Sequence, residues 1–190
     1  KNVAIISDGA FEDCTSLVEI HNNSGLAITA GDEAHGAEYP FGLGSDRSGA
    51  ANLMVHDGYL YIDDDHILTI DLNGHKIDRN LSEPTDDGVI FWLYDYDAKL
   101  TIKDSVGGGK ITGANNTGNG GAFFVERGSL YIEGGEIREN KATNGAGIYW
   151  ESQNELCIYG GVIAANEATE NGGGIYGTDW GDMYFGGNAV

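Results

Sequence analysis

The sequence predicts an all-β fold, a parallel β-helix (solenoid), from three observations. A phrase returns along the chain, because residues 130–149 and 156–176 share the same apolar, Gly and Asn positions. Each copy alternates apolar and polar residues, which indicates strands, and carries Gly pairs, which indicate tight corners. No segment between the strands shows helical periodicity. A repeat that cannot bury its apolar face alone stacks on its own copies.

The copies can be aligned on the first apolar residue of the phrase. From Leu68 to Leu100 is 32 residues, and the next steps, to Leu130, Leu156 and Met183, are 30, 26 and 27. Successive coils would lie one strand spacing apart, about 4.8 Å. We therefore expect three internal ladders of like side chains. They consist of Leu68, Leu100, Leu130, Leu156 and Met183; of Ile70, Ile102, Ile132, Ile158 and Phe185; and of Ile77, Ile111, Ile137 and Ile163.

Asparagines follow the third ladder at nearly constant spacing. Asn80, Asn140 and Asn166 lie three residues after a ladder Ile, and Asn115 lies four residues after Ile111. Asn tolerates left-handed turns, and its amide can bond to the coils above and below. We therefore predict a structural Asn ladder, with ligand contact or glycan attachment as the alternative.

Residues 1–51 fit the repeat poorly, so they are predicted to form an irregular N-terminal cap or degenerate early coils. Residues 52–190 are predicted to form the β-helix repeats. The open edge of a solenoid invites aggregation unless it is covered, which is the role expected of a cap. The sequence stops at Val190, just inside a new coil. Two interpretations stay open: a piece of a longer array, or a subunit that stacks end to end with other copies.

Each repeat pairs a Gly-rich phrase with an apolar-x-x-Asn phrase. The Gly-rich phrase lies at residues 120–123, 145–148 and 172–175, and the Asn phrase at residues 77–80, 137–140 and 163–166. Over about residues 67–190 this pairing resembles the repeats of polymorphic outer-membrane proteins and related β-helix adhesins. The resemblance implies a right-handed, pectate-lyase-like β-helix in a bacterial surface protein.

Composition excludes several function classes. The net charge is −20, with 30 acidic and 10 basic residues, so a nucleic-acid partner is not expected. No run of about 18 apolar residues exists, so no membrane span is expected. The chain begins at Lys1 without Met, which fits a trimmed export signal. We therefore expect an extracellular or cell-surface protein.

Metal and thiol candidates are few. Asp63 and Asp65 would share one side of a strand, and they are the candidate ligands for calcium, the one cofactor that the sequence allows for and does not require. Cys157 alternates with Leu156 and Ile158, so it is expected to point outward and be exposed. It would then either pair with Cys14 or stay a free thiol.

The remaining candidates are aromatic residues and scattered carboxylates. Tyr131 and Tyr184 would point outward and contact a glycan or a neighbouring protein, unless they only stack across strands. The carboxylates considered for catalysis, with nearby bases, are Asp63–Asp65, Asp86, Asp87, Asp95 and Asp97, with Lys99, Lys103 and Arg127. No such arrangement repeats across coils, so no catalytic residue is predicted.

The function predicted from the sequence is therefore that of a non-catalytic extracellular structural or adhesion module. Its expected partners are other copies of itself, neighbouring surface proteins or glycans. Stacking of copies end to end would build a filament. The alternative is a carbohydrate-active β-helix enzyme, a polysaccharide lyase or glycoside hydrolase, or a fragment of one.

Overall fold

A computed structural model of the chain describes residues 19–21, 53–56, 58–62, 67–179 and 181–187. Most of the predicted N-terminal cap lies outside the described residues, as do Cys14, Asp63 and Asp65. The described residues form short strands and no helix. The strands are β1 (Glu19–His21), β2 (Leu53–His56), β3 (Tyr59–Ile62), β4 (Ile67–Asp71), β5 (Lys76–Asp78), β6 (Phe91–Leu93), β7 (Lys99–Lys103), β8 (Lys110–Thr112), β9 (Phe123–Val125), β10 (Ser129–Ile132), β11 (Glu136–Arg138), β12 (Lys141–Asn144), β13 (Ile148–Trp150), β14 (Glu155–Ile158), β15 (Val162–Ala164), β16 (Glu167–Asn171), β17 (Ile175–Gly177) and β18 (Asp182–Phe185).

The strands stack as the predicted parallel β-solenoid. Sheet 1 has the order β1-β4-β7-β10-β14-β18, sheet 2 has β5-β8-β11-β15, and sheet 3 has β2-β3-β6-β9-β13-β17. A small fourth sheet pairs β12 with β16. Every pairing is parallel except that of β2 with β3. Each coil therefore contributes one strand to each of the three main sheets in turn.

The three predicted ladders are confirmed in register. They are internal except toward the last coil, where Phe185 is exposed and Met183 and Ile163 are only partly buried. Leu130 pairs with Leu100 on one side and with Leu156 on the other, and all three side chains are fully buried. The Ile ladders of sheets 1 and 2 continue in the same way. Sheet 3 adds an internal aromatic and aliphatic ladder, in which the rings of Phe91 and Phe123 stack 5.0 Å apart. The core is thus one continuous column of like side chains.

The first and last of the described coils differ in how their edges are covered. At the first edge β1 covers β4 in sheet 1, and the antiparallel β2 covers β3 in sheet 3. At the last coil, Ile175 and Met183 are only partly buried, although their ladder neighbours Ile148 and Leu156 are fully buried. Within the described residues, the last coil therefore leaves part of its apolar face open.

The predicted Asn ladder is confirmed for two of its members. Asn140 is fully buried, and its amide donates to the oxygen of Asn166 at 3.0 Å and to the backbone oxygen of Ile111 at 3.1 Å. The amide of Asn166 donates in turn to the Ile137 oxygen at 2.9 Å. The side chains of Asn80 and Asn115 take no part in these bonds. Buried amides that are bonded in this way hold the coil corners in register.

A second Asn ladder lies at the corner that precedes sheet 3. The amide of Asn144 donates to the oxygen of Asn119 at 3.0 Å, and the amide of Asn171 donates to the oxygen of Asn144 at 2.8 Å. Each of these residues is followed by a Gly with positive φ. Sequence analysis missed this ladder, although the recurring Asn-Gly pair marks it.

Candidate functional site

The outer face of sheet 3 carries a row of aromatic side chains, one per coil. The row consists of Tyr61, Trp92, Phe124, Tyr149 and Tyr176, and we call it the aromatic row. Neighbouring ring centroids lie 5.8, 5.2, 5.4 and 5.8 Å apart along the row. The row arises because successive side chains of a strand point to opposite faces of the sheet. The residues before and after each aromatic residue point into the core, so the aromatic residue points outward.

The aromatic row is mainly a stabilising feature. The rings of Trp92 and Phe124 lie at 27° to each other, so each covers a face of the other. Tyr149 is 6% exposed. Rings that use their faces on one another have less surface left for a ligand, and such pairs stabilise a sheet by about 0.5–1.5 kcal/mol each beyond area burial. A ligand-binding site is therefore expected beside the aromatic row rather than on it.

An open pocket of about 360 Å³ lies beside the aromatic row, where the chain leaves sheet 3. Its charged lining residues are Glu126, Arg127, Glu151 and Asp179. Tyr96, Gln153 and Thr178 complete the lining. We call this cavity the carboxylate pocket.

The stacking of the coils brings these residues together. The backbone ladder continues beyond the strand ends, because the Glu151 N–H donates to the Val125 oxygen at 2.9 Å and the Thr178 N–H donates to the Trp150 oxygen at 2.9 Å. Glu126, Glu151 and Thr178 therefore occupy one column on successive coils. The carboxylates of Glu126 and Glu151 belong to adjacent turns, which are about 4.8 Å apart in a β-sheet.

Arg127 and Tyr96 form a fixed rim of the pocket. The guanidinium of Arg127 lies 4.7 Å from the ring centre of Tyr94 and 5.0 Å from that of Tyr96. The amide of Asn154 donates to the backbone oxygen of Tyr96 at 2.7 Å, which ties this loop to a later coil. Tyr96 is 54% exposed, so its ring offers surface to a ligand at the mouth of the pocket.

The surroundings of Glu151 disfavour the charged form of its carboxylate. Burial raises its pKa, and the negative charges of Glu126 and Asp179 raise it further, while the neighbouring Tyr149 hydroxyl opposes the rise. Gln153 donates to the Asp179 carboxylate at 3.4 Å. An exposed ring beside carboxylates and an amide is a lining suited to a sugar, whose C–H face packs on the ring and whose hydroxyls bond to the polar groups.

The two tyrosines predicted from the sequence lie on the outer face of sheet 1, away from the carboxylate pocket. Tyr131 has the ammonium of Lys99 3.8 Å above its ring, and its hydroxyl donates to Glu155, a bond that raises the pKa of Tyr131. Tyr184 is 47% exposed, and its hydroxyl donates to Asp182 at 3.4 Å. Of the two side chains, that of Tyr184 is the more accessible to a ligand.

The prediction that Cys157 is exposed is wrong. Cys157 does point outward, in register between Tyr131 and Tyr184, but it is only 2% exposed. Its register neighbours on the coils above and below, Tyr131 and Tyr184, both have larger side chains. The alternation of the strand therefore predicted correctly which face of the sheet Cys157 lies on. Its burial could not be predicted in this way, because burial depends on the neighbouring side chains.

The other described carboxylates that were considered for catalysis, Asp86, Asp87, Asp95 and Asp97, do not line the carboxylate pocket. Asp95 accepts a hydrogen bond from the Asp97 N–H at 3.0 Å, which is the geometry of an ordinary turn. Asp63 and Asp65 lie outside the described residues. Among the residues that the structure describes, no group of three or more His, Cys, Asp or Glu residues could hold a metal ion.

Sequence analysis considered Arg127 but missed Glu126, Glu151 and Asp179. The signal that could have found two of them is the repeat itself, because Glu126 and Glu151 each follow the last residue of an aligned strand. Asp179 lies one residue further along its own coil, so alignment alone does not place it in that column.

Comparison of the chain with protein-family models, with curated proteins and with solved structures gives no match. In the part of the chain that the structure describes, no helix has the length and apolar character needed to cross a membrane. The fold therefore defines the class, a parallel β-solenoid, and the site has to be interpreted from its own geometry.

Proposed function

We propose that this chain is a non-catalytic extracellular or cell-surface module, structural or adhesive in role, that binds glycans in the carboxylate pocket. The observation that carries the proposal is the pocket itself, with the exposed ring of Tyr96 at its mouth and the amide of Gln153 within it. Glycan sites typically combine an aromatic surface with a few placed polar groups.

The rest of the molecule suits a scaffold for such a site. Its core is continuous from coil to coil, and its corners are held by hydrogen-bonded Asn side chains. The pocket residues lie at strand ends that this core supports, so little ordering would be needed when a ligand binds. The acidic surface favours solubility outside the cell.

Titration of the whole chain with short neutral and amino-bearing oligosaccharides, followed by NMR or calorimetry, tests the proposal. We expect binding that falls at least tenfold in Tyr96→Ala and in Gln153→Ala. Tyr159→Ala is the matched control, because Tyr159 is 47% exposed and lies outside the pocket lining. Equal losses in all three variants, or no binding of any oligosaccharide, would contradict glycan binding in the pocket.

A carbohydrate-active enzyme is the second candidate, and one observation favours it. Glu126 and Glu151 lie on adjacent coils of one pocket, at a strand spacing of about 4.8 Å. Glycoside hydrolases use a pair of carboxylates that flank the scissile bond in one cleft. Release of new reducing ends from oligosaccharides, abolished in both Glu126→Gln and Glu151→Gln, would favour this candidate over a binding module.

Assembly of copies end to end is a further proposal about partners. The partly open apolar face at Ile175 and Met183 supports contact at that end. At the other edge of sheet 3 the pairing of β2 with β3 is antiparallel, so the parallel ladder is interrupted there. Electron microscopy of the purified protein would show fibres if copies stack longitudinally, and uniform short rods if they do not.

A further inference from the structure

We infer that the carboxylate pocket prefers a sugar that carries a positive charge, a hexosamine with a free amine, over neutral or acidic sugars. This inference rests on the proposed function, since it names the class of glycan that the pocket takes.

The lining has an excess of negative charge. Three carboxylates, those of Glu126, Glu151 and Asp179, face one cavity together with a single cationic group, the guanidinium of Arg127. The guanidinium lies against the rings of Tyr94 and Tyr96, where cation–π attraction holds it at the rim. A cationic group that enters the pocket would therefore meet a net attractive field.

A metal ion does not fit the role of counter-charge. Within the described residues no set of three or more His, Cys, Asp or Glu side chains converges closely enough to hold a metal. The carboxylates are instead spread over the walls of a cavity of about 360 Å³, which lies within the range of small-ligand pockets. An ammonium group attached to a larger molecule can approach such walls without a full set of ligands.

Neutral lining groups indicate that the ligand is a sugar rather than a bare amine. The exposed ring of Tyr96 can pack against the C–H face of a pyranose, and the side chains of Gln153 and Thr178 can bond to its hydroxyls. The half-buried carboxylate of Glu151 lies in the column between Glu126 and Thr178 and is the group placed to accept from the ammonium. The burial and like-charge repulsion that raise its pKa would be relieved by that contact.

Three β-1,4-linked tetrasaccharides separate the effect of charge from that of shape. They are the tetramer of glucosamine, which is fully deacetylated, the tetramer of N-acetylglucosamine and the tetramer of glucose. Calorimetry of the whole chain, at one salt concentration and at a pH where the free amines are charged, gives the three dissociation constants. We expect the deacetylated tetramer to bind about tenfold more tightly than the other two, as a charge-assisted hydrogen bond would give. Equal affinity for all three would overturn the inference and leave glycan binding intact, whereas no binding of any would contradict the proposed function as well.

Two variants locate the effect in the pocket. Glu151→Gln is expected to reduce the preference for the deacetylated tetramer to about threefold or less, and Glu126→Gln is expected to reduce it in the same direction. Glu83→Gln is the control, because it removes one negative charge from an exposed residue outside the pocket. An equal loss in Glu83→Gln would show general attraction to an acidic protein and would overturn the inference. Melting temperatures establish that each variant is folded.

Discussion

The side-chain amide of Asn140 donates to the side-chain oxygen of Asn166, 3.0 Å away on the next coil. The same oxygen also accepts from the backbone N–H of Asn140 at 3.1 Å. The oxygen of Asn140 accepts from the Ala114 N–H, which belongs to the preceding coil, at 3.2 Å. One side chain thus joins three coils at the corner between β11 and β12.

Removal of this amide should destabilise the protein. Asn140→Ala would leave buried donors and acceptors on three coils without partners, so we expect the free energy of unfolding to fall by about 2–4 kcal/mol. Denaturant unfolding followed by circular dichroism measures the change. Asn80→Gly is the control, because Asn80 is exposed at a positive-φ turn and should change stability by less than about 0.5 kcal/mol. Equal effects of the two changes would refute a structural ladder.

The corner after sheet 2 stores backbone strain at two positions. Glu139 and Ala165 have φ of 59° and 54°, whereas the preceding coil has Gly113, with φ of 80°. We expect Ala165→Gly to raise the free energy of unfolding by up to about 1 kcal/mol, because Gly adopts this conformation without a Cβ penalty. Thermal unfolding measures the gain.

The reverse change gives the matched control. Gly113→Ala should lower stability by about 1–3 kcal/mol, because a Cβ there would overlap the Asp78 carboxylate and lie 2.6 Å from the backbone nitrogen of Asn80. A lower melting temperature for Ala165→Gly, together with no loss for Gly113→Ala, would show that left-handed backbone is not the constraint at this corner.

The raised pKa of Glu151 predicts a pH dependence of stability. Between the ordinary value of 4.5 and the higher value in the folded state, the folded protein binds more protons than the unfolded chain. Stability therefore falls as pH rises through this window, and the loss is complete above the folded-state pKa. Glu151→Gln removes the penalty, so we expect it to match the original protein near pH 4 and to exceed it by roughly 0.5 kcal/mol at pH 7.

Melting temperatures across pH 4–7 measure this difference. Glu83→Gln is the control, since Glu83 is exposed and lies outside the carboxylate pocket. If Glu83→Gln gives the same pH-dependent gain, the effect comes from net charge rather than from the pocket.

The aromatic row should contribute to stability whether or not a ligand binds. Phe124 is half-buried, and its ring lies 5.2 Å from that of Trp92 and 5.4 Å from that of Tyr149. We expect Phe124→Ala to cost about 2–3 kcal/mol from lost burial and ring contacts. Tyr184→Ala, at an exposed ring on sheet 1, should cost less than about 1 kcal/mol. Denaturant midpoints that do not separate the two variants would contradict a stabilising role for the row.

The sequence predicted the core well because a repeat carries its own alignment. Leu100, Leu130 and Leu156 could be placed in one ladder from spacing alone, and the structure pairs them in that register. The same logic placed Asn140 above Asn166. Local alternation and a fixed period are sufficient for these predictions, since they need no knowledge of distant contacts.

The carboxylate pocket could not be predicted in the same way. Tyr96 reaches it from a loop of a different length than the loops that carry Glu126 and Glu151, so the period does not align them. The burial of Cys157 was missed for a related reason, because it depends on how the side chains of Tyr131 and Tyr184 lie over it. Contacts made by side chains across coils follow from packing, which the pattern of residue types does not encode.

The reversed direction of β2 has a consequence for how such a molecule can evolve in length. Within the described coils β2 interrupts the parallel ladder of sheet 3, so a duplicated repeat keeps parallel neighbours on both sides when it is inserted between β3 and β17. Each inserted copy would lengthen the array by about 4.8 Å and leave the β2–β3 pair unchanged. The length of the array could then change by one repeat with each gene-segment duplication, independently of the β2–β3 pair.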